Sequence, residues 1–162
     1  MKRAALSAAL ILFAGQAMAC PLSAALFVCS TAGDGALVLC GVDDQIDPGD
    51  LLRFNDGSGK VTDIAPERFS FSHWWTDTKT YRMQVSWAEA GRQYRLHSER
   101  SETGGGAGLI VTENSAEIAR VQCGEAPHVY VGFMQENFAC HLDNPYGASS
   151  CERLPGGHPP GD

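Results

Sequence analysis

Between residues 80 and 98 the chain alternates strictly between apolar and polar side chains. Tyr81, Met83, Val85 and Trp87 take turns with Arg82, Gln84 and Ser86. After Ala88-Glu89-Ala90-Gly91-Arg92 the alternation resumes, with Tyr94 and Leu96 set among Gln93, Arg95 and His97. A period of two marks a strand with one buried face. A turn centred between Ala90 and Gly91 places Trp87 opposite Tyr94, Val85 opposite Leu96 and Arg82 opposite Glu99. One face of this hairpin is wholly apolar, so a one-residue slip in register is strongly disfavoured.

Shorter runs of the same kind recur at 51–54, 61–64, 69–73, 109–111 and 118–122, separated by turn signals such as Asn55-Asp56-Gly57-Ser58-Gly59 and Glu113-Asn114-Ser115. This spacing predicts an all-β protein, mainly antiparallel, a sandwich or small barrel. A short helix is predicted over 131–139, near the C-terminal end. Residues 103–108, Thr-Gly-Gly-Gly-Ala-Gly, read as a flexible connection, and 154–162, rich in Pro and Gly, as a disordered tail. The domain reading is therefore 20–153.

The N-terminal segment has a different character. Met1-Lys2-Arg3 is cationic, residues 4–14 are apolar, and Ala17-Met18-Ala19 is a small-x-small cleavage site. Together these read as a secretory signal peptide, 1–19. The apolar run falls short of the roughly 20 residues that a membrane helix needs, and no later segment reaches that length. Cleavage would expose Cys20, the position a lipoprotein acylates. However, Ala17 stands where a lipoprotein signal usually carries Leu, and acylation would leave an odd number of cysteines. The reading is a soluble periplasmic or secreted protein, with lipoprotein the minority alternative.

Export gives meaning to the cysteines, which are Cys20, Cys29, Cys40, Cys123, Cys140 and Cys151. An even count in an oxidising compartment reads as disulfides. An Asp34-Gly35 hairpin turn would set Cys29 opposite Cys40 at a Cα separation of about 5.5 Å, which a disulfide can span. The expected pairs are thus Cys29–Cys40, then Cys123–Cys140 with Cys20–Cys151; Cys140–Cys151 is the rival closure.

The 162 residues carry a formal charge of -7, deepening to -9 once Lys2 and Arg3 are removed with the leader. That excludes the basic footprint of nucleic-acid binding and suits a cationic protein partner. No motif implies a cofactor or a metal. His73, His97, His128, His141 and His158 form no metal-binding spacing. Asp43, Asp44, Asp47 and Asp50 fit an acidic turn, since an EF-hand frame would put Pro48 in place of Gly and Phe54 in place of Glu. His141, Asp143, Ser149 and Ser150 lack the elbow that exposes a catalytic serine. The glycine run has no Lys-Ser/Thr ending to hold a phosphate. His73-Trp74-Trp75 is the candidate binding site: adjacent residues of a strand point to opposite faces, so a solvated outer face would leave one indole exposed.

Phe27-Val28-Cys29, Leu39-Cys40-Gly41, Leu52-Arg53-Phe54, Phe71-Ser72-His73 and Tyr94-Arg95-Leu96, in that order, resemble a largely uncharacterised family of small secreted proteins of proteobacteria. Asn55 replaces the glycine that usually ends that family's third motif. The resemblance implies a β-rich fold and export, and no chemistry. The functional expectation is an exported, non-enzymatic binding protein. The alternatives are a lysozyme-inhibitor-like protein (Ser58-Gly59-Lys60 being similar to part of one inhibitor loop), a small exported hydrolase with paired carboxylates, or a structural envelope component.

Overall fold

The protein is described here by a computed structural model covering residues 20, 22–32, 35–43, 46–47, 49–76 and 79–140. The hairpin forms in the expected register: β6 (Tyr81–Glu89) and β7 (Arg92–Ser101) pair with Trp87 opposite Tyr94, Val85 opposite Leu96 and Arg82 opposite Glu99. Ala90 and Gly91, both at positive φ, make the two-residue turn between them. Tyr81, Met83, Val85, Trp87 and Leu96 are buried, and Arg82 closes on Glu99 at 2.6 Å across the other face.

The remaining strands extend this hairpin and face it. In chain order they are β1 (Ala25–Ser30), β2 (Ala36–Gly41), β3 (Leu52–Asp56), β4 (Val61–Ile64), β5 (Ser70–Trp75), then β8 (Gly104–Glu113), β9 (Ala116–Gln122), β10 (His128–Val129) and β11 (Ala139–Cys140), with helix α1 (Val131–Asn137) before β11. A five-stranded sheet has the order β10-β1-β2-β3-β4, and a six-stranded sheet the order β11-β5-β6-β7-β8-β9. All pairings are antiparallel except that of β11 with β5. The two sheets share one core, to which Phe27, Leu37, Leu39, Leu52, Phe54 and Ile64 come from one side and Phe71, Met83, Val85, Trp87 and Leu96 from the other. Phe54 meets Trp87 edge to face at 4.7 Å. The helix adds Val131 and Met134 to this core and touches both β1 and β5.

Two expectations are corrected. The first is the Cys29–Cys40 disulfide. The β1–β2 connection is longer than a two-residue turn: Thr31 N–H donates to Gly35 O at 2.9 Å, and Cys29 stands opposite Leu37. The shift is an odd number of residues, so Cys29 and Cys40 face opposite sides of the sheet. Cys29 points into the main core and bonds Cys123, with Cα atoms 5.5 Å apart; Cys40 points to the sheet's other face, where it is buried in a second small cluster, and bonds Cys20, at 5.9 Å. The Cys123–Cys140 and Cys20–Cys151 pairs fall with it; the Cys140 side chain and Cys151 lie outside the described residues, as do residues 1–19, expected to be a leader, and 154–162, expected to be a tail.

The second correction concerns 103–108. Gly104 to Gly108 belong to β8, held by β7 residue for residue from Ser101↔Gly104 to His97↔Gly108. Glycine's weak strand propensity is overridden by a ready-made partner strand.

Cys29–Cys123 closes a loop of 94 residues and ties the two sheets together; a loop of about that length is worth roughly 4–5 kcal/mol in the chain-entropy account. Among the described residues no helix is long and apolar enough to cross a membrane.

A non-reducing peptide map is expected to join Cys29 to Cys123 and Cys20 to Cys40; a Cys29–Cys40 peptide would contradict the β1–β2 register. Val85→Asp should destabilise the fold by about 3–5 kcal/mol in urea titration, because it buries an unpaired charge opposite Leu96. Gln84→Asp on the opposite face should change stability by less than about 1 kcal/mol. Equal tolerance at the two positions would mean that the other face is buried.

Candidate functional site

The ladder between β8 and β9 is shorter than β8. It runs from Glu113↔Ala116 to Gly108↔Gln122, and Cys123 N–H makes one more bond, to Ala107 O at 2.9 Å. The chain then leaves this sheet for the other. Cys123 bridges to Thr31, Gly124 N–H donates to Ser30 O, and β10 joins β1 with Val129 opposite Phe27. Among the described residues, the first residues of β8 are paired on their β7 side alone.

The two diverging segments enclose a cleft of about 440 Å³. Residues 104–107 of β8 and 98–101 of β7 line one side, and 123–127 the other. The floor is bare backbone. A Cβ on Gly105 would lie 2.0 Å from Glu99 O, so only glycine fits there; at Gly106 a Cβ would meet nothing within 4 Å.

The rim is polar and fixed by local bonds. Glu99 is held by Arg82, and Glu102 by Lys79 at 2.8 Å. Glu125 accepts from Ser30 Oγ at 2.8 Å, and Ser101 Oγ donates to Gly104 O at 2.6 Å. The lining residues include Glu99, Arg100 and Glu125; Glu99 and Arg100, adjacent on β7, point to opposite faces of the sheet.

Arg100 belongs to a cross-strand row that leads away from the cleft: Gly105 opposite Arg100, Arg100 opposite Tyr81, Tyr81 opposite Trp75. Trp75 is 39% exposed and meets Tyr81 edge to face at 5.4 Å. The Tyr81 hydroxyl is buried without a partner among the described residues, and desolvation raises its pKa above the ordinary phenol value.

The His73-Trp74-Trp75 motif is split by the strand. His73 and Trp75 point to the core side and Trp74 to the other, beside Arg82. His73 is only 2% exposed, and its Nε2 shares a hydrogen bond with Gln135 Nε2 of α1 at 2.6 Å. Its role here is to join helix and sheet, and Trp75 is the exposed member of the three, three strands away from Gly105 along the same row. The acidic turn is a local structure, as expected: Asp47 N–H donates to the Asp50 carboxylate at 3.0 Å. His141, Asp143, Ser149 and Ser150 lie outside the described residues. Among the described residues no group of three or more His, Cys, Asp or Glu side chains is placed to hold a metal.

The cleft itself was missed in the sequence. The available signal is a glycine run directly after an alternating strand, a pattern that by itself predicts a loop.

Gly105→Ala should lose about 2 kcal/mol or more of stability and Gly106→Ala less than about 1 kcal/mol, both measured by urea unfolding. Similar losses at both positions would contradict the described backbone.

His97, on the outer face beside the cleft, has its pKa lowered by burial and by Arg120 and Arg95, against a smaller raising effect of Glu99. Its folded value lies below its unfolded value, so its contribution to stability is complete above the ordinary histidine pKa of about 6.5 and is lost as pH falls below it. Urea unfolding at about pH 7.5 and about pH 5.5 should show a smaller acid loss in His97→Gln than in the parent. Equal losses would exclude His97 as a source.

Comparisons of the chain with protein-family models, with curated proteins and with solved structures return no match.

Proposed function

We propose that the protein is an exported, non-enzymatic binding module that engages a cationic protein partner through the cleft between β8 and residues 123–127. One observation carries this reading: a cleft of about 440 Å³ floored by the glycine backbone of β8 and lined by residues that include Glu99 and Glu125. Both carboxylates are engaged as acceptors, Glu99 by the Arg82 guanidinium, which offsets its charge, and Glu125 by the neutral Ser30 hydroxyl, which leaves its charge in place. The Cys29–Cys123 bond lies at one wall and limits rearrangement on binding. Trp75 supplies an aromatic anchor at the same end of the sheet. Export is supported by the leader-like pattern of 1–19 and by disulfides, which suit an oxidising compartment.

Gly106→Leu adds an apolar side chain at a residue that lines the cleft and has free space around its Cβ. Capture from an envelope extract, followed by salt elution and mass spectrometry, should yield basic proteins with the parent chain and at least tenfold less of them with Gly106→Leu. Trp75→Ala should weaken binding of the captured partner by about 1 kcal/mol or more with little change in melting temperature. Association should slow as salt rises from about 0.01 M to about 0.15 M, as the screening length shortens from about 30 Å to about 8 Å. Equal capture by Gly106→Leu, or a partner without basic character, would overturn the reading.

A further inference from the structure

We infer that the occupant of the cleft is an extended segment of polypeptide carrying a basic side chain, which adds as a further strand to the edge of β8 at Gly104, Gly105 and Gly106. The inference rests on the cleft reading above and specifies what enters.

The first ground is the open edge. Gly104, Gly105 and Gly106 pair with Ser101, Arg100 and Glu99 of β7, while the β9 ladder stops at Gly108. A strand edge of this kind is a template for another strand. Elsewhere the sheet blunts its edge. β9 carries a bulge opposite Val111/Thr112, and its Glu117–Arg120 ion pair adds charge to that edge. At 104–106 no side chain of the strand itself protects the edge, and among the described residues no further strand pairs there.

The second ground is size. A strand in a sheet takes about 3.4 Å along its axis, about 4.8 Å between neighbours and about 10 Å between faces, or roughly 160 Å³ per residue. A cleft of about 440 Å³ therefore holds about three residues in strand conformation, the number left unpaired on β8. The far wall, residues 123–127, makes this edge recessed. A single strand can enter such a slot, whereas the broad sheet edge of a second copy meets the wall first.

Charge selects the side chain. A residue opposite Gly106 on the added strand points to the face that carries Glu99, because Gly106 is itself opposite Glu99. The two lie two strand spacings apart, about 10 Å. With no side chain on Gly106, a Lys or Arg can lie across that gap toward the Glu99 carboxylate, which Arg82 engages through one oxygen. Glu125 on the opposite wall adds to the same preference.

The test uses a random dodecapeptide library displayed on phage, selected on the oxidised protein and counter-selected on Gly106→Leu. The expected outcome is enrichment of sequences with a Lys or Arg among β-prone residues, with synthetic peptides losing at least tenfold in affinity when alternate backbone amides are N-methylated. Hydrogen exchange at amides 104–107 should slow at least fivefold in their presence. Peptides that keep their affinity after N-methylation on both alternations would overturn strand addition while leaving the cleft reading intact. Peptides that bind the parent and Gly106→Leu equally would overturn the cleft reading as well. Failure to enrich any sequence, or protection of 104–107 that rises with protein concentration in the absence of peptide, would also overturn the inference, the latter pointing to a second copy.

Discussion

The fold depends on where the chain leaves β8. It cannot extend β9 along the whole of β8 and also bring residues 123–129 beside β1, because the two partners belong to different sheets. The conflict is resolved at Cys123, which closes the last bond to Ala107, bridges Thr31 and is tied to Cys29 in the core. Everything after this point follows. β10 becomes an edge of the smaller sheet, α1 lies against both sheets, and β11 returns to the far edge of the larger one beside β5. The same departure leaves the start of β8 open and creates the cleft.

This also accounts for the uneven legibility of the sequence. The β6–β7 hairpin was readable residue by residue because its pattern satisfies two constraints together: a two-residue turn and a strict in-out alternation that burial enforces on one face. The β1–β2 pair was not. Phe27-Val28-Cys29 and Leu37-Val38-Leu39-Cys40 are apolar at every position, and both faces of β2 are in fact buried, Leu37 and Leu39 in the main core and Val38 and Cys40 beside Cys20. A strand buried on both sides carries no alternation to set its register, so the turn alone decided the expectation and the turn was longer than Asp-Gly suggested. The disulfide pairs then changed with the face of one residue.

The candidate site was less legible for a related reason. Glycines contribute no periodicity, so 104–108 had no pattern to read, yet Gly105 is demanded by the 2.0 Å approach of Glu99 O to its missing Cβ. His73-Trp74-Trp75 drew attention through side-chain chemistry, and the strand then buried its histidine and sent its two indoles to opposite faces. That one of the two indoles is exposed was recoverable from the sequence, whereas the cleft needed the path of the chain after Gln122. That path is a long-range property, set by the pairing of residues near 30 with residues near 123.

The most direct measurement of this arrangement is the set of inter-strand nuclear Overhauser contacts around Cys123. The account predicts contacts between Thr31 and Cys123 and between Phe27 and Val129, with none joining Gly106 to Gly124 in continuation of the Gly108–Gln122 pair. Contacts between Gly106 and Gly124 would show β9 running on along β8, with no open edge and no cleft, and would contradict the account at its centre.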